Sequence, residues 1–128
     1  MIVDTSAVLA VLFAEPDAER FERAIASAHH CRMSTANFLE AAIVLESRTG
    51  GEGGHQLDIV LERSPIELVP VTADLALAAR RAWRRFGKGN HPARLNYGDC
   101  FAYALAEATR EPLLFKGRDF ALTDIEAA

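Results

Sequence analysis

Cysteine is scarce in this chain. Its 128 residues include two, Cys31 and Cys100, with no CxxC spacing. That excludes a disulfide framework and a thiolate zinc site, and it implies a reducing compartment. Long apolar runs are missing too. No stretch approaches the ~18 residues that cross a bilayer, and no basic region precedes an apolar run at the N-terminus. A cytoplasmic protein without membrane contact is expected. Histidine is sparse and scattered: His29, His30, His55 and His91 lie in loops or at helix ends with no shared motif, a poor basis for paired acid–base chemistry. Positive charge is in deficit, with 14 Lys+Arg against 18 Asp+Glu and a net charge of −4, which argues against a nonspecific basic coat for nucleic acid. Four acids gathered at one site would account for the whole surplus. Internal repeats and low-complexity tracts are absent. The remainder, 50% hydrophobic overall, suffices for one domain over residues 1–128, burying about two-thirds of its unfolded surface.

The stretch that organises the rest is Met1-Ile2-Val3-Asp4-Thr5-Ser6-Ala7. Ile2 and Val3 are β-branched and form a strand too short to have a solvent face, which suits the middle of a parallel sheet. Asp4 falls at its carboxyl end. Thr5 and Ser6 are helix-cap residue types, and Ala7 to Phe13 follows as a short buried helix. In open α/β sheets, ligands collect beyond the carboxyl ends of strands, so Asp4 there is either a cap or a ligand.

Glu15-Pro16-Asp17 ends that helix, and Phe21, Ala24, Ile25 and Ala28 mark the apolar stripe of another. A short strand is expected around Cys31-Arg32-Met33, with Ser34 or Thr35 capping a helix from Ala36 to about Arg48. Phe38, Leu39, Ala41, Ala42, Ile43, Val44 and Leu45 wrap most of that helix, which predicts that it is largely buried. Glu40 lies inside the run, and a buried carboxylate needs a partner or a cation; Glu46 competes with it from further along. Thr49 to Gly54 predicts a flexible glycine turn before a helix from about His55 to Arg63. Ile66 to Val71 predicts a strand near the sheet edge, because Pro70 cannot donate to a ladder.

Thr72 caps a strongly amphipathic helix with Leu75, Ala78, Ala79, Ala82, Trp83 and Phe86 on one side. Arg80, Arg81, Arg84 and Arg85 occupy much of the other, and Lys88, His91 and Arg94 continue the basic run. Within it Arg80, Arg84, Lys88 and Arg94 are candidates for phosphate contact. Asn96 caps the next helix and puts Asp99 in its first turn, where an acid also complements the helix dipole. Leu113-Leu114-Phe115 is a short buried strand, with Asp119 just beyond it, and Thr123-Asp124-Ile125 begins a last edge strand.

In alternating β/α topology Asp4, Glu40, Asp99 and Asp119 converge on one edge of the sheet. Four carboxylates repel one another, and a hard divalent cation such as Mg²⁺ resolves that conflict with oxygen ligands, water and substrate phosphate. Such a site suits in-line hydrolysis of a phosphodiester.

Four motifs carry a family resemblance: Val3-Asp4-Thr5-Ser6-Ala7; Ser34-Thr35 leading to Glu40; Leu95-Asn96-Tyr97-Gly98-Asp99-Cys100-Phe101; and Leu113 to Phe120. With them the sequence resembles the PIN-domain family, in particular the VapC-type toxins of type II toxin–antitoxin pairs. The resemblance implies a three-layer α/β/α fold around a short parallel sheet. It implies an Mg²⁺- or Mn²⁺-dependent endoribonuclease whose acidic quartet is Asp4, Glu40, Asp99 and Asp119, with Ser6 at the small hydroxyl position and Asn96 in support. It also implies a homodimer and a small VapB-like antitoxin that covers the groove, with DNA reached only through the antitoxin. One departure is Phe115-Lys116, where many members carry Thr or Ser followed by Asn or Asp; Asp124 is therefore an alternative to Asp119.

Other classes fit less well. A phosphoacceptor receiver domain needs adjacent acids after its first strand, whereas Asp4 is followed by Thr5-Ser6. A PIN fold that mainly holds antitoxin in a repressor complex, with weak or no cleavage, is the alternative to the nuclease.

Overall fold

Ile2 and Val3 form β1, a strand with no exposed surface on either face. The computed structural model describes residues 1–128. Its parallel sheet has the order β3-β2-β1-β4, with β2 at Cys31–Ser34, β3 at Ile66–Val69 and β4 at Leu113–Leu114. Six helices connect the strands: α1 Thr5–Leu12, α2 Ala18–Ser27, α3 Thr35–Thr49, α4 Gly51–Arg63, α5 Ala73–Phe86 and α6 Tyr97–Thr109. Strand alternation divides the core in two. Val3 and Leu114 pack toward Ala7, Phe21, Met33, Leu45 and Leu57. Ile2 and Leu113 pack toward Ala79, Ala82, Phe86 and Tyr103. The result is the three-layer α/β/α arrangement, with β3 at an edge as its following proline requires.

Parallel strands separated by helices put all strand carboxyl ends on one edge. Asp4 follows β1 directly and caps α1; Ser34 ends β2 and caps α3 through its hydroxyl, which accepts from the Ala36 N–H at 3.2 Å. Asn96 caps α6 in a reciprocal box, its side chain accepting from the Asp99 N–H while the Asp99 carboxylate accepts from the Asn96 N–H. Three helices thus present their positive N-terminal ends to the edge where the acids gather.

Three sequence expectations are corrected. The glycine run is helical from Gly51 onward, not a turn; the break is Gly50 alone, whose φ of 70° suits glycine. Gly53 and Gly54 let α4 lie close against α3, since a methyl on Gly53 would meet Thr49 and the Leu45 carbonyl, and one on Gly54 would meet the Glu46 carboxylate. Second, α3 is not buried all round. Asn37, Ala41 and Leu45 face the core, while Leu39 and Ile43 are 56% and 60% exposed. Third, Thr123–Ile125 is not a strand. A short 3-10 turn spans Phe120–Leu122, and the sheet gains only one bridge, from Leu113 to Ala127.

Candidate active site

Asp4 is 3% exposed. Its Oδ2 accepts from the Ser6 N–H at 2.9 Å and from the Ser6 hydroxyl at 2.5 Å. The Ser6 oxygen in turn accepts the Lys116 backbone N–H at 2.9 Å, so the β4 exit loop aims the serine proton at Asp4. Oδ1 of Asp4 is buried with no hydrogen-bond partner.

Glu40 reaches the same place from α3. The Thr5 hydroxyl donates to its Oε2 at 2.6 Å. Its carboxylate lies over Gly98, where any methyl group would collide with it. Glycine at the first turn of α6 is therefore what lets α6 approach α3 here. Asp99, one residue on, accepts the Asn96 N–H on Oδ2 at 2.9 Å. Each of these three carboxylates is thus pinned through one oxygen, and its other oxygen has no donor from the protein.

Their charges also act on one another. Burial pushes the Asp4 carboxyl above its usual range, Ser6 opposes that, and the Glu40 charge adds to it. Burial likewise raises Asp99, to about 7, with the charges of Asp4, Asp119 and Glu40 contributing. Asp119 itself is exposed, at the start of the 3-10 turn. Asp124 is elsewhere: it accepts from the Tyr103 hydroxyl at 2.6 Å and from Arg85 at 2.7 Å, and these donors hold its carboxyl below the usual range. Asp119, not Asp124, therefore stands with the other acids. Glu46 is exposed against α4 and takes no part.

No three of these acids stand close enough to enclose a metal ion by themselves. The donor set still fits a hard cation. All donors are oxygens, one is a buried and unsatisfied carboxylate oxygen, and Mg²⁺ typically uses one or two carboxylates with water and phosphate filling the remainder. The Lys116 ammonium, which could have neutralised the site, points away and pairs with Glu15 and Asp17.

Arg80, Arg84, Lys88 and Arg94 are all exposed and make no ion pair. Arg85 is excluded from this group by its bond to Asp124. Arg80 lines an apolar groove of about 530 Å³ between α5 and α6, with Trp83, Tyr97 and Phe101, and no acid lines it. Trp83, expected on the apolar side of α5, is 47% exposed in that groove.

Sequence reasoning missed Thr5 as the donor to Glu40, Gly98 as the close approach, and Asn37. Asn37 is fully buried and donates to Thr5 Oγ1 at 3.2 Å and to the Gly98 carbonyl at 3.0 Å. Its one signal was an amide at the buried face of an otherwise apolar helix, one turn before Glu40.

Such an edge of strand-end and helix-start carboxylates defines a class. A family model described as PIN domain matches residues 1–126, and the chain belongs to that family. Within it the named relatives are VapC proteins. Ribonuclease VapC of Mycolicibacterium smegmatis is 58% identical over 127 residues, covering 99% of this chain and 98% of that protein. VapC ribonuclease Mb0640 of Mycobacterium bovis is 57% identical over 125 residues, covering 98% and 95%. Among solved structures, Mycobacterium tuberculosis VapC20, described as a sarcin–ricin loop cleaving toxin, superposes with a TM-score of 0.79 at 20% identity, covering 99% of this chain and 97% of that one. VapBC2 of Rickettsia felis, solved with a promoter DNA fragment, gives 0.77 at 13% identity, covering 99% and 96%. At these identities the structural likeness speaks for the fold. No helix is long and apolar enough to cross a membrane.

Proposed function

We propose that the chain is a ribonuclease toxin, an Mg²⁺- or Mn²⁺-dependent endonuclease that hydrolyses RNA phosphodiester bonds and is neutralised by a VapB-like antitoxin. The observation that carries this is the set of three carboxylates, each pinned through one oxygen and bare at the other. Asp4 Oδ1 is buried without any partner, a costly state that a cation would relieve. The relatives named as ribonucleases support the activity, and the Klebsiella pneumoniae toxin–antitoxin complex of similar fold, with a TM-score of 0.70, supports the partner.

In this reading Asp4 and Asp99 would hold the cation, with Glu40 and Asp119 adding negative charge around it. When bound, the cation supplies Lewis acidity and neutralises charge on the reacting phosphate and the leaving oxygen. The chain's own groups do the rest. Ser6 occupies Asp4 Oδ2 and leaves Oδ1 free. Thr5 does the same for Glu40, and the Asn96 N–H for Asp99. Arg80, Arg84, Lys88 and Arg94 are the phosphate contacts along the RNA. Leu39, Ile43, Leu77, Trp83 and Tyr97, all large and roughly half to four-fifths exposed, form the apolar face through which two copies pair.

The test is cleavage of RNA in Mg²⁺ by folded wild type, Asp4→Asn and Asp99→Asn. Both variants lose activity by at least a hundredfold while keeping the wild-type circular dichroism spectrum. On the same RNA, neutralising Arg80, Arg84 and Lys88 together flattens the salt dependence of binding by about 0.7 in log–log slope per lost contact. The separation of the acids in the present arrangement favours one second reading, a PIN fold that chiefly holds antitoxin. Wild-type protein that does not cut RNA in Mg²⁺ would select that reading.

A further inference from the structure

We propose that Asn37 is a positioning residue that sets the spacing of Asp4, Glu40 and Asp99. This rests on the reading of those acids as a cation site. The Asn37 amide nitrogen has two protons, and each lands one residue away from a site carboxylate. One goes to Thr5, next to Asp4 at the start of α1; the other goes to the Gly98 carbonyl, next to Asp99 at the start of α6. Asn37 and Glu40 are three apart on α3 and so share a face. Thr5, having accepted from Asn37, donates its own proton to Glu40. A single side chain thus ties the first turns of α1 and α6 to α3, and the tie closes back on the third carboxylate.

The side chain's chemistry suits that task. An amide supplies two donors without charge, so it neither competes with a cation, as a lysine would, nor adds to the repulsion, as an aspartate would. Its Oδ1 is buried and has no partner. A leucine of similar shape would remove that penalty, so core packing alone does not account for asparagine here. Mutual repulsion spreads the carboxylates when no cation is present, and the tie opposes that spread. Gly98 contributes by leaving room for the Glu40 carboxylate at the point where the tie draws α6 in.

The experiment is Mn²⁺ titration by calorimetry of metal-free wild type, Asn37→Leu, Thr5→Val and Thr5→Ser. Leu57→Ala serves as a core-destabilised control, because Leu57 is buried on α4 and takes no part in these hydrogen bonds. The expected result is at least tenfold weaker Mn²⁺ binding in Asn37→Leu and Thr5→Val. Thr5→Ser, which keeps the hydroxyl, and Leu57→Ala stay within twofold of wild type. If Asn37→Leu does not fold, Asn37→Ser replaces it; one hydroxyl keeps only one of the two ties, and binding weakens at least threefold. Wild-type uptake matched within twofold by the Asn37 variant overturns the tie and leaves the cation site standing. Wild-type protein that takes up no Mn²⁺ overturns both.

Discussion

At Asp99 folding and function make opposite demands. Burial, with Asp4, Asp119 and Glu40 nearby, raises its carboxyl from 3.8 to about 7 in the metal-free protein. Between those values the folded chain binds a proton that the unfolded chain has released, so stability falls as pH rises through the window. Asparagine keeps an oxygen to accept the Asn96 N–H and carries no charge. A tenfold change in proton affinity corresponds to about 1.4 kcal/mol, but part of Asp99 is in water and an acid at a helix start is itself favourable by about 0.3–1 kcal/mol. Asp99→Asn is therefore more stable than wild type by about 1–2 kcal/mol at pH 8 in EDTA, and the difference fades toward pH 4. Urea unfolding at the two pH values measures it, and a variant less stable than wild type at pH 8 contradicts it. Asp4, Ser6, Asn96 and Asp99 were legible in the sequence because each sits beside its own cap or strand end. Thr5, Asn37 and Gly98 were not, since their roles depend on partners 32 to 61 residues away. Choosing Asp119 over Asp124 likewise needed the Arg85 and Tyr103 contacts.

Among the elements, the central place of β1, the edge place of β3 and most helix starts followed from local residues, while the order of the four strands and the start of α4 did not. Glycine lowers helix propensity by about 1 kcal/mol per residue, and three glycines in the first turn outweigh any local signal. What makes the segment helical is packing against α3, visible only in three dimensions. Gly53→Ala sets these two effects against each other. Propensity favours alanine by about 1 kcal/mol. The added methyl, however, would displace Thr49, whose hydroxyl donates to the Leu45 carbonyl at 2.8 Å, and would press on that carbonyl. Overpacking costs typically 1–3 kcal/mol, so the variant melts lower than wild type. A higher melting temperature in calorimetry would mean that α4 does not lie close against α3. The exposure of Leu39 and Ile43 has the same kind of origin: periodicity shows that a helix is apolar all round, not which neighbour covers each side.

Over the whole molecule, the apolar surface and the charge are distributed unevenly. Leu39 and Ile43 on α3, Leu77 and Trp83 on α5, and Tyr97 on α6 are large apolar side chains left in water. Large apolar side chains left in water are available to a partner surface, and a stable pair buries on the order of 1,600 Å² in total. Light scattering after size exclusion at micromolar concentration should give twice the chain mass for wild type and a single chain mass for Ile43→Arg. A monomeric wild type would contradict pairing through this face. The acidic edge is the other feature of this scale, since Asp4, Glu40, Asp99 and Asp119 come from four separate stretches and reach one edge only when the sheet is assembled. Their chemistry is tested most directly by the ends of the RNA fragments. Hydrolysis by water in line with a departing 3′ oxygen leaves 5′-phosphate and 3′-hydroxyl ends, and EDTA abolishes it. End-group analysis of cleaved RNA, with and without chelator, should give those ends in Mg²⁺ and no cleavage in EDTA, whereas 2′,3′-cyclic phosphate ends that persist in EDTA would contradict a metal-dependent acidic site.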